Sequence, residues 1–185
     1  MKGVGTQIIE TEHLIMRPIE SGDALSIYTN WASDPLVTRY LTWNVHESLA
    51  VTQQYVEYKL KRNTGAPYIF DWIIVLKETG EPIGEMECVN VSVQDNLVEM
   101  GDCIGSKHWN KGYATEALKA FIDYMFNKAE VDKVWACYIS TNPASGRVMQ
   151  KAGMHLDAVL KGYLVDKPTG KRADKVCYSI DRSER

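Results

Sequence analysis

The sequence has no surplus of positive charge. Its 21 lysines and arginines are outnumbered by 24 aspartates and glutamates, which gives a formal net charge of −3. Nucleic-acid binding depends largely on a basic field, and this composition does not supply one. We therefore expect no nucleic acid among the partners of the protein.

Membrane-spanning and targeting segments are also missing from the sequence. No stretch approaches the roughly 18 consecutive apolar residues of a membrane helix. Residues Met1 to Glu10 lack the long apolar core of a signal peptide. The sequence predicts a cytoplasmic protein with no membrane partner, and it leaves open whether the chain forms a homo-oligomer.

The cysteines and histidines form no motif. Each stands alone in the sequence, without a Cys-x-x-Cys pair or a nearby ligand at metal spacing: Cys88, Cys103, Cys137, Cys177, His13, His46, His108 and His155. Structural zinc sites and redox pairs usually show such spacing. We expect four reduced cysteines buried in strands, and no metal.

Length and composition favour one globular domain spanning residues 1–185. An apolar fraction of 45% with 24% charged residues is ordinary for a soluble chain that buries its own core. Alternating apolar runs and turn residues predict the order β α α β β β α β α β β. That order belongs to the α/β (α+β) class, with a mixed, mostly antiparallel sheet of about seven strands and about four flanking helices.

The clearest helix prediction covers residues 111–128, where apolar residues recur at three- and four-residue spacing. Gly112 stands at its start, directly after a predicted strand. Because the first N–H groups of a helix lack internal partners and lie at the positive end of its dipole, a glycine there favours a phosphate site. The alternative interpretation is an ordinary helix start.

Two common phosphate-binding designs do not fit this segment. A P-loop needs G-x-x-x-x-G-K-[ST], but Asn110 stands where its second glycine should be. A dinucleotide fingerprint needs G-x-G-x-x-G, and Gly112 has no glycine partners at those offsets. A nucleoside triphosphatase and a dinucleotide-binding enzyme are therefore not expected.

The sequence resembles the GNAT superfamily of N-acetyltransferases, specifically its RimJ/RimL-like branch. The resemblance rests on W-N-K-G-Y-A-T-E-A at residues 109–117, E-T-E-x-L-x-x-R-P at 10–18, R-Y-L at 39–41 and N-x-x-S-x-x-V-M-x-K-x-G at 142–153. These segments span nearly the whole chain. The resemblance implies a GNAT-like fold and transfer of an acetyl group from acetyl-CoA to a primary amine, either a protein N-terminus or a small molecule.

The resemblance also implies which residues hold acetyl-CoA. The pyrophosphate is expected on the main-chain N–H groups of Asn110, Lys111, Gly112, Tyr113, Ala114 and Thr115. The pantetheine arm is expected along the main chain of Cys103 and Ile104. Trp109 occupies the position where the superfamily usually has Gln or Arg, which leaves the contribution of its side chain to coenzyme binding in question.

The segment from Asn142 to Lys151 is expected to supply the proton for the leaving thiolate. Many members of the superfamily carry a tyrosine in this helix, but Met149 stands at the equivalent place here and cannot donate a proton. The resemblance then points to Ser145 as the hydroxyl donor to sulfur, with Asn142 positioning coenzyme or substrate. The alternative is that both residues merely cap the helix.

Acetylation also requires a neutral amine, so a base or a water chain must remove a proton. Glu99 resembles the glutamate of the A-E-I-G segment of the RimJ/RimL-like branch and is our candidate, with Glu85, Glu87 and Asp102 as rivals. An ordinary solvated or paired charge is the alternative for Glu99. We favour direct attack within a ternary complex over an acetyl-Cys103 intermediate.

Aromatic residues on the connections are expected to line the acceptor side, namely Tyr40, Trp43 and Tyr68, unless they only pack beneath loops. A second functional hypothesis is a coenzyme A-binding sensor that has kept the fold and lost turnover. The missing tyrosine and the displaced Gln/Arg position favour that alternative.

Overall fold

A computed structural model describes residues 1–185 as one eight-stranded sheet with helices on both faces. The strands are β1 (Ile9–Glu10), β2 (Leu14–Arg17), β3 (Asp71–Leu76), β4 (Pro82–Ser92), β5 (Leu97–Ile104), β6 (Lys133–Ile139), β7 (His155–Val165) and β8 (Arg172–Asp181). The helices are α1 (Ala24–Ile27), α2 (Pro35–Thr38), α3 (Leu49–Asn63), α4 (Tyr113–Asn127) and α5 (Pro143–Lys151). None of them is long and apolar enough to cross a membrane.

The strand order is β1-β2-β3-β4-β5-β6-β8-β7, and only the β5–β6 pair is parallel. The predicted class and mostly antiparallel sheet are confirmed, with small differences in the counts. The eighth strand is β1, whose two residues are too few to show an alternating pattern. The fifth helix is α2, a single turn that begins at Pro35. The preceding residue, Asp34, caps it, because its side chain accepts a hydrogen bond from the Leu36 amide.

An opening separates the carboxyl ends of the two parallel strands. Leu97–Met100 of β5 pair with Lys133–Ala136 of β6, and the pairing stops there. Beyond that point β6 continues to pair with β8 as far as Ile139, while β5 continues to pair with β4 as far as Ile104. The two strands therefore separate into a gap, which we call the opening, between residues 101–104 and 137–139.

Alternate residues of β5 enter two different hydrophobic cores. Val98, Met100 and Ile104 pack in the larger core with α4. Cys103 packs in the smaller core, which contains residues of α1 and α3. Side chains on one strand alternate between the faces of a sheet, so the sheet has an α4 face and an α3 face, and the opening lies between them.

The sequence prediction of four reduced cysteines is wrong for one pair. Cys137 and Cys177 are direct cross-strand partners of β6 and β8, with their Cα atoms 4.2 Å apart, and they form a disulfide. Cys88 and Cys103 are free thiols. The pair is separated by 40 residues in the sequence, so only the register of the two strands brings its members together.

Candidate active site

The turn before α4 is built from alternating backbone conformations that leave its amides free. Asn110 and Gly112 both have positive φ angles, 60° and 89°. The first helical hydrogen bond is donated by the Glu116 amide to the Gly112 carbonyl, at 3.0 Å. The six preceding amides, from Asn110 to Thr115, donate to no protein atom. A helix start ordinarily leaves four such groups, so this turn is a strong site for an anion.

Gly112 is required by its backbone conformation. A Cβ at this position would have no atom within 4 Å, so space for a side chain is available. The φ of +89° is nevertheless a conformation that side chains with L chirality strongly disfavour. The exposed turn therefore combines a fixed shape with an unobstructed approach to its amides.

Glu116 fixes the first turn of α4 to the rest of the fold. Its Oε1 atom accepts hydrogen bonds from the Thr11 hydroxyl at 2.6 Å and from the His13 amide at 2.8 Å. Burial alone would raise the pKa of Glu116, but the hydrogen bonds from Thr11 and His13 outweigh burial and lower it. The glutamate of the T-E-A motif therefore anchors this turn, residues 110–115, which we call the free-amide turn, to the β1–β2 connection.

Trp109 connects the same turn to β5. Its indole Nε1 donates a 2.7 Å hydrogen bond to the Ile104 carbonyl, while the side chain remains 42% exposed. Because the only polar atom of the indole is occupied, it is not available to a phosphate. In this structure the side chain of Trp109 supports the loop, whereas a Gln or Arg would present free donors.

The edge of β5 that faces the opening is formed by the main chain of Asp102 and Ile104. Main-chain groups point alternately to the two neighbouring strands. The Gly105 amide donates to Ile83 of β4, and the Cys103 carbonyl points to β4 so closely that a side chain at Gly84 would collide with it. Of the predicted pair, Ile104 faces the opening and Cys103 does not. Asp102, which the sequence analysis considered only as a base, takes its place.

The start of α5 brings Asn142 and Ser145 together. Asn142 Nδ2 donates a 3.0 Å hydrogen bond to Ser145 Oγ. Asn142 is the residue preceding the helix, but its side chain makes no capping hydrogen bond to the main chain. The Ser145 hydroxyl therefore keeps its own proton free for donation. Met149 is only 4% exposed and belongs to the larger core.

The four candidate carboxylates have different surroundings. Glu99 lies on the α3 face of the paired part of β5, with Oε1 3.8 Å from Lys175 Nζ of β8. Asp102 lies on the α4 face at the opening, and burial raises the pKa of its carboxyl to about 6. Glu85 and Glu87 lie on β4 beneath α3, opposite Cys103 and Gly101. The four carboxylates therefore do not form one cluster.

A buried ion network covers the α3 face beside Cys103. Lys59 Nζ is 2.9 Å from Glu87, 3.0 Å from Asp71 and 3.9 Å from Glu85. Burial lowers the pKa of Lys59, but the three carboxylates outweigh burial and raise it to about 12. No signal for this network is visible in the sequence, because its members are isolated charged residues that come from α3, β3 and β4.

Glu85 is the least compensated carboxylate of the network. It accepts a 2.7 Å hydrogen bond from the Tyr55 hydroxyl, and the Cys103 thiol lies 3.8 Å from its other oxygen. Burial raises the pKa of Glu85 above its ordinary value, and the opposing effect of Lys59 is smaller. Burial also raises the pKa of the Cys103 thiol, with a further contribution from Glu85. Cys103 is therefore a poor nucleophile.

An aromatic row leads from the surface to this network. The ring centroids of Trp43 and His46 are 5.3 Å apart, and those of His46 and Tyr55 are 5.6 Å apart. Lys167, in the β7–β8 turn, donates a 2.7 Å hydrogen bond to the Trp43 carbonyl. The structure therefore places Trp43 between the β7–β8 turn and Tyr55, on the α3 face.

The other two predicted acceptor residues have different positions. Tyr40 is half-buried, and the guanidinium carbon of Arg39 lies 4.6 Å from the centroid of the Tyr40 ring. Tyr40 precedes Trp43 on the same connection. Tyr68 follows the carboxyl end of α3 and lies against Gly3 of the amino-terminal segment. Trp43 precedes the amino end of the same helix, which is about 22 Å long. The structure does not bring Tyr68 to the other two.

The family profile described as an acetyltransferase (GNAT) domain matches residues 13–155, which include the free-amide turn and the opening. The chain belongs to the GNAT acetyltransferase family. Members of this family are acetyltransferases, and the protein is accordingly an enzyme of that kind. The predicted GNAT resemblance is thereby confirmed.

The chain is also similar to individual proteins. The uncharacterized protein YkkB of Bacillus subtilis is 30% identical over 152 residues, covering 82% of this chain and 87% of its own. A GNAT acetyltransferase from Bacillus anthracis has a similar structure, with a TM-score of 0.82, 25% identity and coverage of 96% of this chain and 99% of its own.

A third similar structure is the microcin C7 self-immunity acetyltransferase MccE, solved with acetyl-CoA and AMP. Its TM-score is 0.80 at 16% identity, and the match covers 92% of this chain and 93% of its own. At that identity the likeness extends to the GNAT fold alone.

Proposed function

We propose that this GNAT enzyme transfers the acetyl group of acetyl-CoA to a primary amine, with the pyrophosphate held by the amides of residues 110–115. The observation that carries the proposal is the row of six consecutive unpaired amides at the mouth of the opening. A diphosphate satisfies such donors and benefits from the dipole of α4. The presence of acetyl-CoA in the structure of MccE supports this choice of anion.

The pantetheine arm then runs along the edge of β5. The main-chain groups of Asp102 and the amide of Ile104 face the opening and provide hydrogen-bonding partners for the arm and for the thioester carbonyl. The Ile104 carbonyl already accepts from Trp109. Asn142 lies on the far side of the opening, at the start of α5. We propose that its side-chain amide contacts the coenzyme; the same amide donates a hydrogen bond to Ser145, which supports that role.

The acceptor amine attacks the thioester carbon directly. Its nitrogen forms the new C–N bond as the C–S bond breaks, and Glu99 accepts the ammonium proton directly or through water. Ser145 donates a hydrogen bond to the departing sulfur. An acetyl-Cys103 intermediate is disfavoured because the thiol is buried on the α3 face and its raised pKa keeps it protonated.

The acceptor approaches from the α3 face, past Trp43 and Tyr40. We propose a protein N-terminus or a small-molecule amine, in keeping with the RimJ/RimL-like motifs, and a cytoplasmic enzyme. Tyr68 is not part of this proposal because it lies beyond the opposite end of α3.

Two measurements on the purified protein test the proposed function. Acetyl-CoA at about 100 times its dissociation constant should stabilise the fold by about 2.7 kcal/mol in a thermal-shift titration. Incubation with peptides of varied N-terminal residue, polyamines, amino acids and aminoglycosides should then release free thiol with at least one acceptor. Absence of any thermal shift would refute coenzyme binding. A shift without thiol release from any acceptor would favour a coenzyme-binding sensor, for which the buried Met149 is the structural argument.

A further inference from the structure

Tyr138 borders the opening on the face where the coenzyme is proposed to bind. It lies two residues beyond Ala136, the last residue of β6 that pairs with β5. Val134 and Ala136 pack in the core with α4, so by strand alternation Tyr138 also faces α4 and α5. The side chain is only partly buried. It therefore stands at the point where the two parallel strands separate.

Gly146 of α5 provides the space for this tyrosine. A Cβ at position 146 would lie 2.6 Å from the Tyr138 hydroxyl oxygen and 2.7 Å from the ring atom that carries it. Glycine inside a helix costs about 1 kcal/mol relative to alanine. That cost has a physical reason here, because any side chain would displace the ring. The hydroxyl consequently lies against the first turn of α5, at Gly146, the residue that follows Ser145.

The Tyr138 hydroxyl has no hydrogen-bond partner in the protein. The neighbouring Tyr178, with its ring centroid 6.2 Å away, accepts a 2.7 Å hydrogen bond from Gln150. Burial and the proximity of Tyr178 raise the pKa of Tyr138. The phenol is therefore protonated at neutral pH and free to donate.

We propose that Tyr138 is the catalytic proton donor to the sulfur of the leaving coenzyme. The inference rests on the proposed function. As the C–S bond breaks, its electron pair goes to sulfur, the phenolic proton moves to sulfur, and the phenolate later regains a proton from solvent. A phenol, with an ordinary pKa of about 10, is matched to a thiol of about 8.5 far better than a serine hydroxyl is. Ser145, held by Asn142, contributes a hydrogen bond to the same sulfur but does not transfer the proton.

Turnover is the first test. Tyr138→Phe should lower kcat by about 100-fold, as expected for loss of a general acid, with no change in the acetyl-CoA dissociation constant. Gly146→Ala, which keeps the tyrosine but obstructs its seat, should lower kcat similarly. Tyr58→Phe, which alters an exposed tyrosine on α3, should match the wild type. An unchanged kcat in Tyr138→Phe would overturn the proposal, and a large loss in Ser145→Ala beside it would assign the acid to Ser145.

A binding measurement keeps the proposal testable without turnover. The wild type should bind coenzyme A more tightly than an analogue that lacks the sulfur atom, and Tyr138→Phe should abolish most of that difference. Ser145→Ala should preserve part of it. If Tyr138→Phe leaves the difference intact, the hydroxyl does not contact sulfur. If neither ligand binds the wild type, the proposed function itself is wrong. That outcome is different from one in which both ligands bind and Tyr138→Phe has no effect, which would refute only the role of Tyr138.

Discussion

The ammonium of Lys59 and the carboxylate of Asp71 lie 3.0 Å apart, and each side chain is only 2% exposed. Arg62 also contacts Asp71, at 2.5 Å. Two cations therefore face the three carboxylates Asp71, Glu85 and Glu87 beneath α3. Removing one partner of a buried ion pair leaves an uncompensated charge and is strongly destabilising. The network fixes α3 against β3 and β4, and it is already one cation short.

Glu85→Gln should stabilise the protein at pH 7. The glutamine keeps an oxygen for the Tyr55 hydroxyl and removes a charge whose burial raises the pKa of Glu85. Below its ordinary pKa, Glu85 is protonated in both the folded and the unfolded chain. As the pH rises above that value, ionisation costs more in the folded state, so wild-type stability falls relative to the variant.

Urea unfolding at pH 7 and at pH 4 measures this effect. The variant should have the higher midpoint at pH 7, and the difference should nearly vanish at pH 4. Glu57→Gln, which alters an exposed glutamate on α3, should show no such pH-dependent gain. A variant less stable than the wild type at pH 7 would mean that Lys59 compensates Glu85 fully.

Trp109→Phe should loosen the free-amide turn of residues 110–115. It removes the hydrogen bond to the Ile104 carbonyl, worth about 1 kcal/mol of stability, and frees one edge of the opening. We expect a several-fold weaker affinity for acetyl-CoA, measured by calorimetry. Trp135→Phe is the control for stability, because its indole N–H makes no hydrogen bond. Equal acetyl-CoA affinity in Trp109→Phe and the wild type would show that the loop keeps its shape without this bond.

Gly112→Ala should separate coenzyme affinity from stability. Gly112 and Gly65 both have positive φ and open space where a Cβ would stand, so alanine should cost about 1–2 kcal/mol at either site. Only Gly112→Ala should weaken acetyl-CoA binding, by about 10-fold or more if its strain distorts the amide row. Comparable affinities in the two variants would remove this turn from the binding site.

The features that depend on consecutive residues were predictable from the sequence. The amphipathic pattern of α4 and the preceding Gly112 identify the turn, because helix periodicity and a positive-φ glycine are local properties. The position of Trp109 was predictable, but its bond to Ile104 was not. That bond depends on the path of the chain between a strand end and a helix start.

Features that depend on register or on distant elements were not predictable. The Cys137–Cys177 disulfide requires the pairing of β6 with β8. That the main chain of Asp102, and not that of Cys103, faces the opening can be predicted only if one knows which edge of β5 pairs with β4. Tyr138 left only an indirect signal, an unexplained Gly146 inside a predicted helix. Aromatic composition grouped Tyr68 with Trp43, although a whole helix separates them.

Glu99→Gln should lower kcat by about 100-fold while sparing acetyl-CoA affinity, as loss of a general base predicts. The ion pair with Lys175 offers a second explanation for any loss. Lys175→Met removes the same pair and keeps the carboxylate, so it should retain most of the activity. Initial rates and thermal-shift titrations of both variants decide the matter. Equal losses would assign Glu99 a structural role in the sheet.

Lys167→Met should affect the acceptor and leave the coenzyme unaffected. The bond from Lys167 to the Trp43 carbonyl ties the β7–β8 turn to the aromatic row, and losing it should let the acceptor side open. We expect the KM for the amine to rise several-fold with an unchanged KM for acetyl-CoA, because the free-amide turn lies on the other side of the opening. Lys171→Met, an exposed lysine of the same turn, controls for the lost charge. A rise confined to the acetyl-CoA KM would place the turn beside the coenzyme and reverse the proposed orientation of the two substrates.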